Sequence, residues 1–402
     1  MKKLIAMGLS ALLALTVLLP CYAWAEDVGE EPVPVYKIEE EVQRAASFTP
    51  DGPLPVKSAI LMEQGTGKIL FERNSDEKLA PASVTKIMSL LLFMEALDSG
   101  KMALTDKVTC SETAAAYGGS QIWLKPGEEM TVDELLRATA IASANDATVC
   151  LAEHVGGSEL GFVDMMNRRA KELGMENTTF KCAAGLDNEG HLTTARDIAL
   201  MSRELMTHPT IKNYTTVWMD SLRGGATELV NTNRLVRFYQ GATGLKTGTT
   251  SGAGSCLSAT AERDGLGLIA VVMGADTSDN RFAAARALLD WGFSNYIQAK
   301  LTAPDNLAPV KVTKGVAPNV LPICLPPPGV VIERGKAEMI SQEAELTPEL
   351  TAPVLEGQEI GKVRVMADGE LLLEYPICAA AAVEEMTLSK ALSILWGTML
   401  KM

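Results

Sequence analysis

Ser83 and Lys86 stand three residues apart at the head of an apolar run, a spacing that puts a hydroxyl and an amine on one face of a helix. A serine hydroxyl is a poor nucleophile until a base removes its proton, and a neutral lysine amine can be that base. The first turn of a helix also offers unpaired backbone N–H groups and a positive dipole end to a developing oxyanion. Ser143-Ala144-Asn145 then places a hydroxyl and a carboxamide two positions apart, able to relay a proton and hold a carbonyl. Lys246-Thr247-Gly248 occurs once, followed by Thr249 and Thr250 and, close behind, an apolar strand. Its lysine offers a positive charge to a carboxylate and would depress the pKa of a neighbouring Lys86. Its glycine, inside a strand, marks a close backbone approach, read here as an extended peptide laid along the edge.

Each of the first two patterns has a decoy, in Ser75-Asp76-Glu77-Lys78 and Ser278-Asp279-Asn280. The first decoy lies in a polar stretch with no apolar helix behind it, whereas Ser83 opens one. All three elements in this order are hard to obtain by accident, and together they resemble the penicillin-recognising serine hydrolases. The resemblance is closest to the D-alanyl-D-alanine carboxypeptidases among the low-molecular-mass penicillin-binding proteins. It extends to Ser58-Ala59-Ile60-Leu61, Thr66 to Leu70, Pro81-Ala82-Ser83-Val84-Thr85-Lys86, Gly185-Leu186-Asp187 and Gly190 to Asp197, and covers nearly everything from Val56 onward.

The resemblance implies that Ser83 is acylated, that Lys86 takes its proton and that Ser143 passes a proton towards the leaving D-alanine. Asn145 would hold the substrate amide, and Lys246, Thr247, Gly248 and Thr249 would bind substrate. The backbone N–H groups of Ser83 and Thr249 would form the oxyanion hole. Arg281, 35 residues beyond Lys246, matches an arginine that binds the terminal carboxylate in some relatives. Ala144 stands where the family more often has glycine. The implied partners are peptidoglycan stem peptides, with β-lactam antibiotics as covalent inhibitors; no cofactor is implied. Two alternatives share the scaffold, a β-lactamase and a non-catalytic wall-binding or sensor protein. Against the first, no Glu-x-x-Asn occurs between Val149 and Phe180; against the second, Ser83, Lys86 and Lys246 are intact.

Other chemistries have less support. His154, His191 and His208 are the only histidines, and no Gly-x-Ser-x-Gly nucleophile elbow accompanies them. No His-x-x-x-His or clustered cysteine spacing suggests a metal. Cys150 and Cys256 read as buried free thiols inside apolar runs, and Cys324 and Cys378, both after Pro-Ile, could be paired. The net charge of −14 argues against nucleic acid as a partner.

The elements that must position these groups follow from periodicity. Residues 1–25 read as a secretory signal: Lys2 and Lys3, the apolar run Leu4 to Leu19, then Ala23-Trp24-Ala25. Residues 26–55 read as a linker or arm. Ser58 to Glu63 and Lys68 to Arg73 read as a hairpin, followed by a buried helix from Pro81 to near Gly100. Residues 101–210 read as largely helical, including Val132 to Ala152, and strands return at Cys256 to Ala261 and Leu266 to Gly274, before a helix from Arg281 to Phe293. The fold class expected is α+β: an antiparallel sheet flanked by helices with a helical insert, spanning residues 56–298. A small all-β, sandwich-like domain is expected over 302–382. Residues 387–402 carry Leu388, Ala391, Leu392, Leu395, Met399 and Met402 at helical spacing, with Trp396 beside them. That stripe reads as an amphipathic helix lying on a membrane surface, placing an exported protein at the outer face of the cytoplasmic membrane or free outside.

Overall fold

The computed structural model describes residues 48–399, so the expected signal, most of the arm and the last three residues of the terminal stripe lie outside it. In chain order, β1 (Ser58–Glu63) and β2 (Ile69–Arg73) form the expected hairpin and α1 (Lys86–Asp98) follows. Next come β3 (Lys107–Thr109), β4 (Glu129–Thr131), α2 (Val132–Ala140), α3 (Asn145–Gly156), α4 (Glu159–Glu172) and α5 (Ala195–Leu205). The small hairpin β5 (Met219–Leu222) and β6 (Thr227–Val230) precedes β7 (Ala242–Thr250), β8 (Gly254–Arg263), β9 (Leu266–Ala275) and α6 (Ser278–Asn295).

Five of these strands make one antiparallel sheet in the order β2-β1-β9-β8-β7, which joins the early hairpin to the late strands. Strand β9 is buried throughout. Its Leu266, Leu268, Ala270 and Val272 pack with Leu288, Leu289 and Phe293 of α6. Its Ile269, Val271 and Met273 belong to the opposite core, with Ile87, Leu90 and Leu91 of α1. A sheet covered on both faces requires such an unbroken apolar run. Helix α1 is buried from Lys86 to Met94 without a gap, so it too is apolar almost all round, and each buried leucine contributes ~1.5–3 kcal/mol. Strand β7 ends the sheet and keeps one edge unpaired by other strands.

The helical insert departs from expectation at one place. The run Val132 to Ala152 is two helices rather than one. Helix α2 starts with a capping box, in which the Thr131 hydroxyl accepts from the Glu134 amide and Glu134 accepts from the Thr131 amide. After Ala140 the chain turns, because Ser143 adopts a left-handed φ of 61° and Asn145 donates its amide to the Ser120 carbonyl instead of continuing a helix. The region also holds the two-stranded β3–β4 ribbon and a long irregular stretch before α5.

The rest of the described chain is a β unit with its own core. It comprises β10 (Tyr296–Ala299), β11 (Val310–Thr313), β12 (Asn319–Val320), β13 (Pro322–Cys324), β14 (Val330–Glu333), β15 (Ile340–Leu346), β16 (Glu349–Thr351), β17 (Glu359–Ala367) and β18 (Glu370–Ala379). Three- and four-stranded sheets, β12-β11-β16 and β13-β18-β17-β15, enclose Val310, Val312, Ile360, Val363, Val365 and Ile377. Strand β10 pairs with β14, so strand pairing in this unit begins at Tyr296, directly after α6. Cys324 and Cys378 are free thiols, contrary to the pairing the sequence allowed. The register sets Cys324 opposite Ile377 and Cys378 opposite Ile323, one residue out of step, so the two thiols point to opposite faces.

The chain closes on α7 (Leu388–Met399), where Leu388, Leu392, Leu395, Trp396 and Met399 are all more than half exposed. No helix among the described residues is long and apolar enough to cross a membrane.

Candidate active site

Three elements converge on Lys86. Ala82, at a left-handed φ of 50°, swings the chain into a 3-10 turn over Ala82–Thr85, and Lys86 begins α1 at its end. Ser83 thus sits on the tight turn ahead of the α-helix, not in the helix itself as its spacing suggested. The Lys86 Nζ is fully buried and donates to three acceptors: Ser83 Oγ at 3.0 Å, Asn145 Oδ1 at 2.6 Å and the Ala184 carbonyl at 2.7 Å. Burial lowers the pKa of its amine to about 7, and the cause is desolvation rather than the charge of Lys246.

Asn145 opens α3 and is held at both ends of its carboxamide. Its Oδ1 accepts from Lys86, and its Nδ2 donates to the Gly118 carbonyl at 2.6 Å. Ser143, two residues before it, is buried on its left-handed turn and makes none of the hydrogen bonds that join the other groups.

The third element is β7. Gly248 packs so tightly against the turn that carries Ser83 that a Cβ on it would lie 2.8 Å from the amide nitrogens of both Ser83 and Val84. The close backbone approach expected at this glycine is therefore made by the protein's own chain. Gly185 does the same from the other side, at a φ of 87°, where a Cβ would fall 2.0 Å from the Ala82 carbonyl oxygen. Thr247 donates its hydroxyl to Thr232 Oγ1 at 2.7 Å, and Thr249 is exposed at the open edge.

Lys246, within β7, is buried, and among the described residues its Nζ donates only to the Thr247 carbonyl, at 3.2 Å. Burial, reinforced by the positive charges of Lys86 and Arg281, holds its pKa well below the usual lysine range. Arg281 reaches β7 from α6: one guanidinium nitrogen donates to the Gly248 carbonyl at 3.0 Å and to Thr249 Oγ1 at 2.9 Å. Burial lowers its pKa to about 10. Arg281 is thus engaged with the strand rather than lying free on the surface of its helix.

Several contributors carried no sequence signal of their own. The Ala184 and Gly118 carbonyls are backbone groups, which no side chain announces. Asp146, directly after Asn145, is completely buried, and its carboxylate accepts from the amides of Ile122, Leu124 and Ala147. An acid set among the apolar residues of Ala144 to Leu151 is the one clue that could have found it. His191 is a structural group. Its Nδ1 accepts from the Lys181 amide at 3.0 Å, so its Nε2 donates to Thr85 Oγ1 at 2.8 Å, and burial lowers its pKa to about 4.

A lysine amine thus stands within reach of a serine on a tight turn, and that turn abuts the edge strand that carries Lys-Thr-Gly. Residues 45–277 match the family described as D-alanyl-D-alanine carboxypeptidase. The chain belongs to that family. Residues 296–385 match the C-terminal domain of penicillin-binding protein 5. Among curated carboxypeptidases, DacF of Bacillus subtilis is 45% identical over 348 residues, covering 85% of this chain and 89% of its own. Penicillin-binding protein 5 of Haemophilus influenzae superposes with a TM-score of 0.72 at 31% identity, over 83% of this chain and 99% of its own. Penicillin-binding protein D2 of Listeria monocytogenes, solved in its ampicillin-bound form, gives 0.55 at 33% identity over 60% and 98%.

Proposed function

We propose that this carboxypeptidase removes the terminal D-alanine from peptidoglycan stem peptides through an acyl-enzyme on Ser83, and that penicillins acylate the same serine. The observation that carries the reading is the 3.0 Å contact between the buried Lys86 amine and the Ser83 hydroxyl. With a pKa of about 7, that amine is neutral in a large fraction of molecules at neutral pH and takes the hydroxyl proton as Oγ attacks the carbonyl of the penultimate D-alanine. The backbone N–H groups of Ser83 and Thr249 receive the oxyanion, a pairing supported by the contact between Gly248 and the Ser83 turn.

As the peptide bond breaks, the leaving amine of D-alanine takes up a proton relayed through Ser143. Water then attacks the acyl ester, Lys86 again acting as base, and Ser83 is regenerated. With a β-lactam the bond that breaks lies in the ring, so the leaving amine stays tethered to the acyl group. Lys246, buried and short of acceptors, receives the substrate carboxylate, whose negative charge favours the ammonium that burial alone disfavours. Arg281 contributes by fixing Gly248 and Thr249, and Asn145 by holding Lys86 in line with Ser83. Residues 56–298 form the catalytic domain and 302–382 the core of the β domain that follows.

The location proposed is the outer face of the bacterial cytoplasmic membrane, reached by way of the signal at 1–25. The twelve residues of α7, about 18 Å long, suit lying in the interface better than crossing it. Its apolar side chains carry the attachment, since Lys390 is already paired with Glu384 at 2.5 Å. The catalytic reading is tested by intact-mass spectrometry after exposure to a labelled penicillin, followed by peptide mapping. One adduct on Ser83 is expected; a label on Ser75 or on a cysteine refutes the assignment.

A further inference from the structure

The Asp146 side chain is 0% exposed, and no lysine or arginine pairs with it among the described residues. A carboxylate taken out of water without a cation is costly unless other donors satisfy it. Here the donors are backbone amides. Oδ1 accepts from Ile122 at 3.2 Å and Ala147 at 2.9 Å, and Oδ2 from Ile122 at 3.2 Å and Leu124 at 3.0 Å. Two of the three donors belong to the loop that runs from Tyr117 to Leu124, outside α3. That loop supplies the Gly118 carbonyl to the Asn145 side chain and the Ser120 carbonyl to the Asn145 amide.

We propose that Asp146 is a positioning residue for the reaction: it clamps Ile122 and Leu124 to the head of α3 and thereby keeps Asn145 registered against the Lys86 amine. The proposal rests on the reading of Lys86 as the base. Asp146 also acts through its charge. Burial is what lowers the Lys86 pKa, and the groups opposing it are Cys182, whose thiol burial keeps protonated, and the Asp146 carboxylate. From β7, Lys246 faces the same amine. The other titratable neighbours of Asp146 are the Cys110 and Cys150 thiols, both pushed up by burial and uncharged. Among the described residues, Asp146 is therefore the one carboxylate that favours the ammonium formed on Lys86 when Ser83 loses its proton.

Asp146→Asn keeps the shape but turns one acceptor into an NH₂ that faces N–H donors, which loosens the loop. Acylation by a labelled penicillin is followed from pH 5 to 9 for wild type, Asp146→Asn, Asn145→Ala and the double variant, with thermal unfolding as the check on folding. Displacement of this kind is expected to slow acylation by ~10–100-fold, and in the double variant Asp146→Asn should add little to Asn145→Ala. The acid limb of the pH profile should move to lower pH, because the removed charge favoured the protonated amine. A wild-type rate and limb, a lowered Tm with unchanged acylation, or additive effects overturn the proposal.

If Asp146→Asn does not fold, Trp123→Pro breaks the same loop from outside. Trp123 is 73% exposed and sits at a φ of 54° that proline cannot adopt. The same slowing is expected, and a wild-type rate overturns the proposal. The underlying reading fails separately, through wild-type acylation by Lys86→Ala.

Discussion

Burial of Lys86 has a consequence that a titration of rate can measure. At an ordinary lysine pKa of 10.5, only about one amine in 3,000 is neutral at pH 7. With the value lowered to about 7, roughly half are neutral, a gain of ~1,500-fold in competent base. The shift corresponds to ~5 kcal/mol of differential solvation, which the three acceptors around Nζ do not cancel. Below pH 7 the neutral fraction, and with it acylation, should fall about tenfold per pH unit, and above pH 8 it should level off. Stability carries the same sign. The folded protein binds fewer protons at Lys86 than the unfolded chain between pH 7 and 10.5, so this group's contribution rises with pH across that window. The assay is stopped-flow acylation by a chromogenic β-lactam from pH 5 to 9, with Lys86→Ala as the reference that lacks the base. A rate flat from pH 5 to 8, or a Lys86→Ala variant acylated as fast as wild type, would show that Lys86 is not the proton acceptor.

Three further outcomes follow from the geometry. Gly248→Ala forces a methyl group into the Ser83 and Val84 amides, and a displacement of that size should cost ~100-fold in acylation, read with the same β-lactam. Lys246→Ala should weaken capture of substrates that bear a carboxylate far more than of an amidated analogue, seen as a raised KM for the former alone; equal effects on both would remove its assigned partner. Truncation before Thr387 should abolish co-sedimentation with anionic liposomes at low and high salt while leaving hydrolysis of a soluble D-Ala-D-Ala peptide unchanged.

The parts of the site legible in the sequence were those marked by a side chain or by its absence. Ser83, Lys86, Asn145, Lys246 and Gly248 come together as their order implied. What stayed hidden is backbone. The Ala184 carbonyl that completes the lysine's shell and the left-handed turns at Ala82 and Ser143 belong to residues whose types predict nothing unusual. Ile141-Ala142-Ser143-Ala144 carries no helix breaker; the run ends where Ser143 turns left-handed, the Ala144 amide bonds back to the Ala138 carbonyl and the Asn145 amide bonds to Ser120. The sheet was easier to read because Asp264-Gly265 and the Gly65 to Gly67 turn punctuate it, although β9, buried on both faces, lacks the alternation that marks a half-exposed strand.

Pairing of β1 with β9 sets Ser58 opposite Met273, more than two hundred positions along the chain. That separation bears on the order in which the site can be assembled. A growing polypeptide presents Ser83 early, but the turn that carries it gains its abutment only when Gly248 arrives, and the sheet behind it only when β9 is laid down. Contacts that join distant stretches form late, after the entropy of closing a long loop has been overcome. An unfinished chain therefore lacks both the strand that abuts the Ser83 turn and the sheet behind it, and the site can be complete only when the domain is.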